Sequence, residues 1–266
     1  MLGHMVSLYF KEKGYDVVGL AREQSKIVPT IILDATEFDD LKDIIIKGNY
    51  DAIINCIGIL NKACDKNPCN AILLNSYLPH FLADVTKDMK TKVIHISTDC
   101  VFSGNKGEYT VNDNKDAQSM YGISKSLGEL KDNKNVTIRT SIIGPDLNEN
   151  GIGLFNWFTH QKGEVNGFTN VYWTGLTTLE CAEVIETVLK TNLSGLYNVV
   201  PNVKISKYDL LCLIKKYFNV DVKINPVNEP YSDKSLVSNF VYYILEYESM
   251  IIDLANWVKT HDIYRG

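Results

Sequence analysis

Tyr121 and Lys125 stand four residues apart in Tyr121-Gly-Ile-Ser-Lys125, and Ser97-Thr98-Asp99 lies upstream, directly after the strand-like run Val93-Ile94-His95-Ile96. On a helix, positions four apart share a face, so a phenol and an ammonium can point into one pocket. A free phenol has a pKa of about 10 and is a poor base near neutral pH, but a nearby cation favours its ionised form. Lys125 is placed to be that cation. Thr98, at the end of a strand, is placed to donate a hydrogen bond to a substrate oxygen and hold its carbon beside a hydride donor. The combination suits reduction of a ketone or oxidation of an alcohol.

Elsewhere, a Tyr-x-x-x-Lys pair on an amphipathic helix is a half-buried ring and a solvated charge. Its placement here changes that reading. Tyr15–Ala21, Thr30–Leu33, Ala52–Ile57, Lys92–Ile96 and Val136–Thr140 are short runs rich in β-branched residues, and helix-period segments lie between them at Glu37–Lys47, Asn70–Met89 and Ser119–Lys131. Alternation of this kind predicts an α/β fold, a doubly wound parallel sheet of Rossmann-like type. Beyond about Gly144 the texture changes, with turn signals at Gly144-Pro145 and Asn148–Gly151, a helix-like Leu154–His160 and a Gly- and Asn-interrupted Val165–Trp173. Helical segments at Leu179–Lys190, Lys207–Phe218 and Glu248–Thr260 and an extended Gly195–Val200 follow. The expected division is a nucleotide-binding domain over 1–143 and 176–200, with a small C-terminal substrate lobe over 144–175 and 201–266, where such folds insert their substrate contacts.

Composition narrows the partners. The chain has 266 residues, is 45% hydrophobic and carries a formal net charge of −5, so it can bury one substantial core. An acidic balance without Lys/Arg clusters argues against a nucleic acid or an acidic membrane as main partner. Cys56, Cys64, Cys69, Cys100, Cys181 and Cys212 include no Cys-x-x-Cys pair, and His4, His80, His95, His160 and His261 are scattered, so no metal site is expected and the thiols read as reduced. The longest apolar stretch, around Ala52–Leu60, is far short of the ~20 residues that span a bilayer. No leader-like segment opens the chain, and a cytoplasmic location is the expectation.

A doubly wound nucleotide site needs an opening strand and a glycine-rich turn that lets helix-start amides approach a pyrophosphate. This chain opens with Met1-Leu-Gly-His-Met-Val, already at the helix, with Gly3 in the place of the last glycine of such a turn. Two expectations follow: an upstream start, or weak cofactor binding. Arg22, after the strand run Tyr15–Ala21, suits a 2′-phosphate and favours NADPH over NADH, and Asp34 is placed either to meet the adenine edge or to cap the following helix.

The chain resembles the dTDP-4-dehydrorhamnose reductase family of extended short-chain dehydrogenases/reductases. Matching features are Met1-Leu-Gly3, Asp34-Ala-Thr, Asn55-Cys-Ile-Gly58, Leu74-Asn75, Ser97-Thr-Asp-Cys-Val-Phe-Ser-Gly104, Tyr121-Gly-Ile-Ser-Lys125 with Gly128-Glu129, Arg139-Thr-Ser141 and Gly195-Leu-Tyr197. The resemblance implies that Tyr121 donates a proton to the C4 ketone oxygen of a nucleotide-linked deoxysugar while NADPH, or NADH, delivers hydride to C4. Lys125 would hold the nicotinamide ribose and Thr98 the reacting oxygen. Leu2, Gly3, Arg22, Asp34, Ala35, Cys56, Ile57, Gly58 and Ser97 would line the cofactor, together with Tyr121 and Lys125. Asp99, Val101 and Phe102 would face the sugar. Where the family commonly has an aromatic after Arg-Thr-Ser this chain has Ile142, and Trp173 is near enough in sequence pattern to compensate. The implied role is supply of precursors for cell-surface polysaccharide, and the implied assembly is a homodimer through the helices flanking the active-site helix.

Two other readings use the same residues. A 4-epimerase shares the Tyr and Lys but retains tightly bound NAD, whereas a 4,6-dehydratase needs an acid after Asp99, where this chain has Cys100. A non-catalytic regulatory subunit of the same fold is the alternative outside enzymology, and the intact Thr98, Tyr121 and Lys125 count against it.

Overall fold

The computed structural model describes residues 1–148, 151 and 153–264, so the turn expected at Asn148–Gly151 lies partly outside the described residues. The first half alternates as its β-branched and helix-period runs dictate: α1 (Leu2–Glu12), β1 (Gly19–Ala21), β2 (Thr30–Ile32), α2 (Phe38–Gly48), β3 (Ala52–Asn55), α3 (Lys62–Lys66), α4 (Pro68–Ala71), α5 (Leu78–Val85), β4 (Lys92–Ser97), α6 (Met120–Leu127) and β5 (Val136–Arg139). The remainder comprises β6 (Ser141–Ile143), α7 (Leu154–Thr159), β7 (Gly163–Phe168), β8 (Val171–Trp173), β9 (Gly175–Thr177), α8 (Thr178–Leu189), β10 (Gly195–Asn198), β11 (Ile205–Ser206), α9 (Lys207–Phe218), β12 (Val222–Val227), β13 (Ser232–Asp233) and α10 (Tyr247–Thr260).

Four strands pair in parallel in the order β10, β5, β4, β3, and β1 pairs in parallel with β2. Side chains alternate across β4 as the pleat requires. Ile94 joins a core with Val136, Ile138, Met5, Val6 and Ile185, under α1 and α8. Val93 instead joins Leu41, Ile45, Leu78 and Leu82 from α2 and α5. Burial on both sheet faces explains why these strands read as continuous apolar runs. The chain is thus an α/β protein with a doubly wound parallel sheet.

The same alternation aims the polar residues of β4. His95 and Ser97 share the face of Val93, toward the side on which α6 lies, and register places Asn55 beside His95 and Arg139 beside Ser97. In the C-terminal half, β7 pairs in parallel with β12, and β8 lies between β11 and β13.

Two elements differ from the sequence expectation. The strand expected over Tyr15–Ala21 is paired only at Gly19–Ala21, because β2 offers three partners. The helix expected over Asn70–Met89 widens into a π-helical stretch at Ile72–Tyr77 before continuing as α5. Such wider turns re-aim side chains and recur at functional sites. Here the widened turn carries Asn75, fully buried, toward the end of β3.

Candidate active site

β4 ends at Ser97, and Thr98 caps the short turn that follows: its hydroxyl accepts from the Cys100 amide at 3.1 Å and donates to Asp99 Oδ1 at 3.0 Å. α6 starts opposite. Its cap is Ser119, whose Oγ accepts from the Gly122 amide at 3.1 Å, and two glycines let it approach closely. A Cβ at Gly122 would lie 2.2 Å from the Cys100 carbonyl oxygen, and one at Gly128 would lie 2.0 Å from the Asn75 carbonyl oxygen. The start of α6 is therefore pressed onto the Thr98 turn, and its end onto the π-helical stretch. Gly122→Ala is expected to cost about 1–3 kcal/mol through overpacking, measured by urea unfolding. Ser119→Ala, which removes only a cap, should cost about 1 kcal/mol; equal small effects would refute the close-approach argument.

This approach brings Tyr121 against Thr98 and Asp99. Burial is the main influence on the Tyr121 phenol and pushes its pKa up, Cys100 and Asp99 add to the rise, and the Thr98 hydroxyl opposes it. The sequence suggested a phenol lowered by the Lys125 ammonium. The structure differs because that ammonium turns toward β4, donating to the Ile96 carbonyl at 2.6 Å and lying 3.3 Å from His95 Nε2. A raised phenol keeps its proton through neutral pH, the state an acid catalyst needs.

Lys125 is itself buried, and burial lowers its pKa to about 8 against the opposing pull of Glu129. Its neighbour His95 hydrogen-bonds Asn55 Nδ2 through Nδ1 at 3.2 Å, and burial with the Lys125 charge holds that ring well below its usual pKa, hence neutral. Cys56, at the end of β3, is pushed up to about 12 by burial, with Lys125 opposing. A Cβ on Gly3 would lie 3.7 Å from the Cβ of Cys56, so the start of α1 lies beside the end of β3. No side chain caps that helix start.

Asn75 holds the loop after β3. Its Oδ1 accepts from the Ile59 amide at 2.8 Å, and its Nδ2 donates to the Ile59 carbonyl and to Ser124 Oγ, both at 3.0 Å. The Ile57 amide donates to Asn55 Oδ1 at 3.1 Å, and a Cβ on Gly58 would lie 3.5 Å from Asn75 Oδ1. The sequence pointed to Leu74-Asn75 only as a family match. The role of Asn75 in this loop, like those of Asn55 and His95, depends on pairings between distant segments.

Behind the site, Glu129 takes both edges of a buried cluster. Its Oε1 accepts from Ser97 Oγ and Arg139 Nε, and its Oε2 from Arg139 Nη2, each at 2.8 Å, while Lys115 Nζ adds a bond at 3.0 Å. Ser97 is thereby turned into this cluster.

The other expected site residues have the following surroundings. Val101 and Phe102 were expected to face the sugar but are fully buried with Tyr109, Val200 and Leu236, where two apolar side chains are most stable. Phe102 stacks on Tyr109 with centroids 4.2 Å apart, and Arg139 lies over its ring. Leu2 and Ala35 are buried in the two sheet-face cores, so only their backbones can meet a ligand. Asp34 accepts from the Thr36 amide and hydroxyl, which lower its pKa, and Arg22 acts on it electrostatically at the end of the β1–β2 pair. Ile142 packs against the main core. Trp173 is buried beside Tyr247 and donates to Ser141 Oγ at 2.8 Å.

A doubly wound parallel sheet with Thr98, Tyr121 and Lys125 gathered at its strand ends defines the short-chain dehydrogenase/reductase class. A family model described as the RmlD substrate binding domain matches residues 1–235, and the chain belongs to that family. It is similar to the probable low-salt glycan biosynthesis reductase of Haloferax volcanii, with 32% identity over 133 residues, 48% of this chain. That match spans 44% of the length of the relative. A crystal structure of a hypothetical dTDP-4-dehydrorhamnose reductase from Sulfolobus tokodaii superposes with a TM-score of 0.77 at 28% identity, covering 94% of this chain and 95% of that one. The Bacillus anthracis dTDP-4-dehydrorhamnose reductase in complex with NADP gives a TM-score of 0.79 at 19% identity, with 95% and 94% covered.

Proposed function

We propose that the chain is an NADPH-dependent reductase, with NADH as a weaker alternative, acting on the 4-keto group of a nucleotide-linked deoxysugar in the supply of polysaccharide precursors. The observation that carries this reading is the meeting of Thr98, Asp99 and Tyr121 across the Gly122 contact, one helical turn from a buried Lys125. Family membership and the names of the relatives support it.

The residues present fit a nicotinamide dinucleotide. The uncapped start of α1 beside Cys56 is an anion-friendly helix end, and Arg22, near enough to Asp34 to act on it electrostatically, would pair with a 2′-phosphate. Lys125 would hold the nicotinamide ribose, exchanging its bond to the Ile96 carbonyl for the ribose hydroxyls. When bound, the dinucleotide supplies hydride to the carbonyl carbon. Tyr121 gives its phenolic proton to the carbonyl oxygen, a transfer favoured by a phenol that is protonated at neutral pH. Thr98 orients that oxygen by swinging its hydroxyl proton from Asp99 to the substrate.

The test is NADPH oxidation followed at saturating cofactor with a panel of 4-keto nucleotide sugars. Turnover of at least one supports the reading, and copurified NAD with no net NADPH consumption would replace it with epimerisation. Arg22→Asp is expected to weaken NADPH about tenfold or more, the scale of a charge-assisted contact, while sparing NADH; equal effects on both would remove the cofactor preference.

The proposal includes a homodimer and a cytoplasmic site of action. Ile72, Leu73, Tyr77, Ile123 and Leu127 are exposed apolar side chains on the adjoining π-helical stretch and α6, with Leu127 60% exposed, a patch of the kind that marks an interface. Leu127→Glu is expected to halve the mass measured by light scattering. A monomeric unmodified chain would end that part of the proposal. All six cysteines are free thiols, as a reducing compartment allows, and no described helix is long and apolar enough to cross a membrane.

A further inference from the structure

Asn55, His95 and Lys125 form a buried row in which each side chain restricts the protons of the next. The Asn55 carboxamide has one orientation, because the Ile57 amide donates to its Oδ1 at 3.1 Å. Its Nδ2 is therefore the atom that faces His95 Nδ1 at 3.2 Å, and an amide nitrogen only donates. Nδ1 must accept. The ring is neutral, since burial and the charges of Lys125 and His80 all disfavour an imidazolium, and a neutral imidazole has one donor and one acceptor. Its proton thus sits on Nε2, the nitrogen 3.3 Å from Lys125 Nζ.

That placement conflicts with an ammonium. A charged Nζ donates and has no lone pair, so an Nε2–H aimed at it sets two donors face to face. An amine removes the conflict: its lone pair accepts from Nε2–H while one of its own hydrogens stays on the Ile96 carbonyl at 2.6 Å. The opposite tautomer, with Nε2 accepting from the ammonium, would turn Nδ1–H against the Asn55 amide. Both side chains are buried, so that arrangement leaves donors unsatisfied where water cannot reach them. The other titratable groups acting on Lys125 are Glu129 on the same helix, Cys56 at the end of β3 and Cys64 on α3. Glu129 is committed to Arg139, Ser97 and Lys115, and burial keeps both thiols protonated.

We infer that His95, fixed by Asn55, is a positioning residue that favours the amine of Lys125 in the free chain, and that Lys125 takes up a proton when it turns from the ring to the ribose of a bound nicotinamide dinucleotide. The balance is one proton, passing from solvent to the Nζ lone pair as the Nε2–H contact breaks. This rests on the cofactor reading above and adds to it that cofactor binding and proton uptake are one event. Burial already lowers the Lys125 pKa to about 8, so at pH 8 amine and ammonium are about equally populated.

The first test is ¹⁵N NMR of the histidine-labelled, cofactor-free full chain at pH 8, with His95 assigned through its contacts to Asn55. A protonated Nε2 and a bare Nδ1 are expected; the reverse tautomer or an imidazolium overturns the inference. The second is calorimetric titration with NADPH at pH 8 in HEPES and in Tris, whose ionisation enthalpies differ. Heats that report uptake of roughly half a proton support it, and equal heats in the two buffers overturn it. His95→Gln can turn a carbonyl oxygen to the ammonium, so it should lose most of that uptake and move the alkaline decline of NADPH affinity up by about one pH unit, a tenfold change in proton affinity. Groups elsewhere at the cofactor site are common to both chains and drop out of this difference, so unchanged uptake in the variant counts against His95. Should the variant fail to fold, the tautomer and the two-buffer heats of the unmodified chain decide. NADPH turnover of a 4-keto sugar without proton uptake on cofactor binding would sink this inference alone. An Nε2–H tautomer in a chain that neither binds nor oxidises NADPH would sink the reductase reading and leave the pairing of His95 with Lys125 standing.

Discussion

Tyr121→Phe is expected to lower kcat/KM for the 4-keto sugar by about 10²–10⁴-fold, the contribution of a positioned general acid, with little change in thermal midpoint. The variant keeps the ring that α6 buries and loses the hydroxyl that meets Thr98. Cofactor affinity should be nearly unchanged, because the ammonium that would hold the ribose comes from Lys125. A second readout separates these roles. Burial lowers the Lys125 pKa to about 8, so its ammonium form is nearly full at pH 6 and is lost as pH rises through 8. The unmodified enzyme should therefore lose NADPH affinity on the alkaline side, and Tyr121→Phe should keep that limb while losing turnover. A variant that reduces substrate within twofold of the unmodified enzyme would remove Tyr121 as the acid.

Arg139→Met is expected to destabilise the fold by about 3–5 kcal/mol, because it leaves the Glu129 carboxylate buried without its main partner. Both side chains of that pair are fully buried, and the guanidinium also donates to Asn198 Oδ1 at 3.1 Å, tying β5 to β10. The pH dependence carries the sign. Burial pushes the Glu129 carboxyl up, but bonds from Arg139 and Lys115 outweigh it and leave the pKa below the usual carboxylate value. In the unmodified chain this stabilisation is present above the unfolded carboxylate pKa of about 4.3 and is lost as pH falls through the folded value. Without Arg139, burial prevails and the folded pKa rises above the unfolded one. The variant should then lose stability as pH rises from about 4.3, so its deficit is larger at pH 8 than at pH 5. Urea unfolding at the two pH values, with Arg139→Met/Glu129→Gln as the compensating variant, checks this. Equal deficits at both pH values, with no recovery in the double variant, would show that the pair is not what Ser97 and β5 lean on.

Gly122 tests whether α6 must touch the Thr98 turn, and Arg22 tests a group on the separate β1–β2 pair.

The sequence by itself determined the alternation of strands and helices and singled out Thr98, Tyr121 and Lys125 as candidates. Period-2 and period-3.6 patterns are local, and a pentapeptide carries its own geometry once it is helical. Tertiary structure decided what those residues touch. The Lys125 ammonium turns to Ile96 and His95, and Asn75 turns inward on a widened helix to hold the loop at Ile59. Asn55 meets His95, and Ser97 meets Glu129 and Arg139, because strand register aligns them. Lys207 and Lys234 arrive at Cys100 from the far half of the chain. None of these contacts has a local signature, since each is set by pairing and burial between segments far apart in the chain. Burial also reverses the expected sign at Tyr121, because desolvation depends on what is packed around a group and not on its neighbours in sequence.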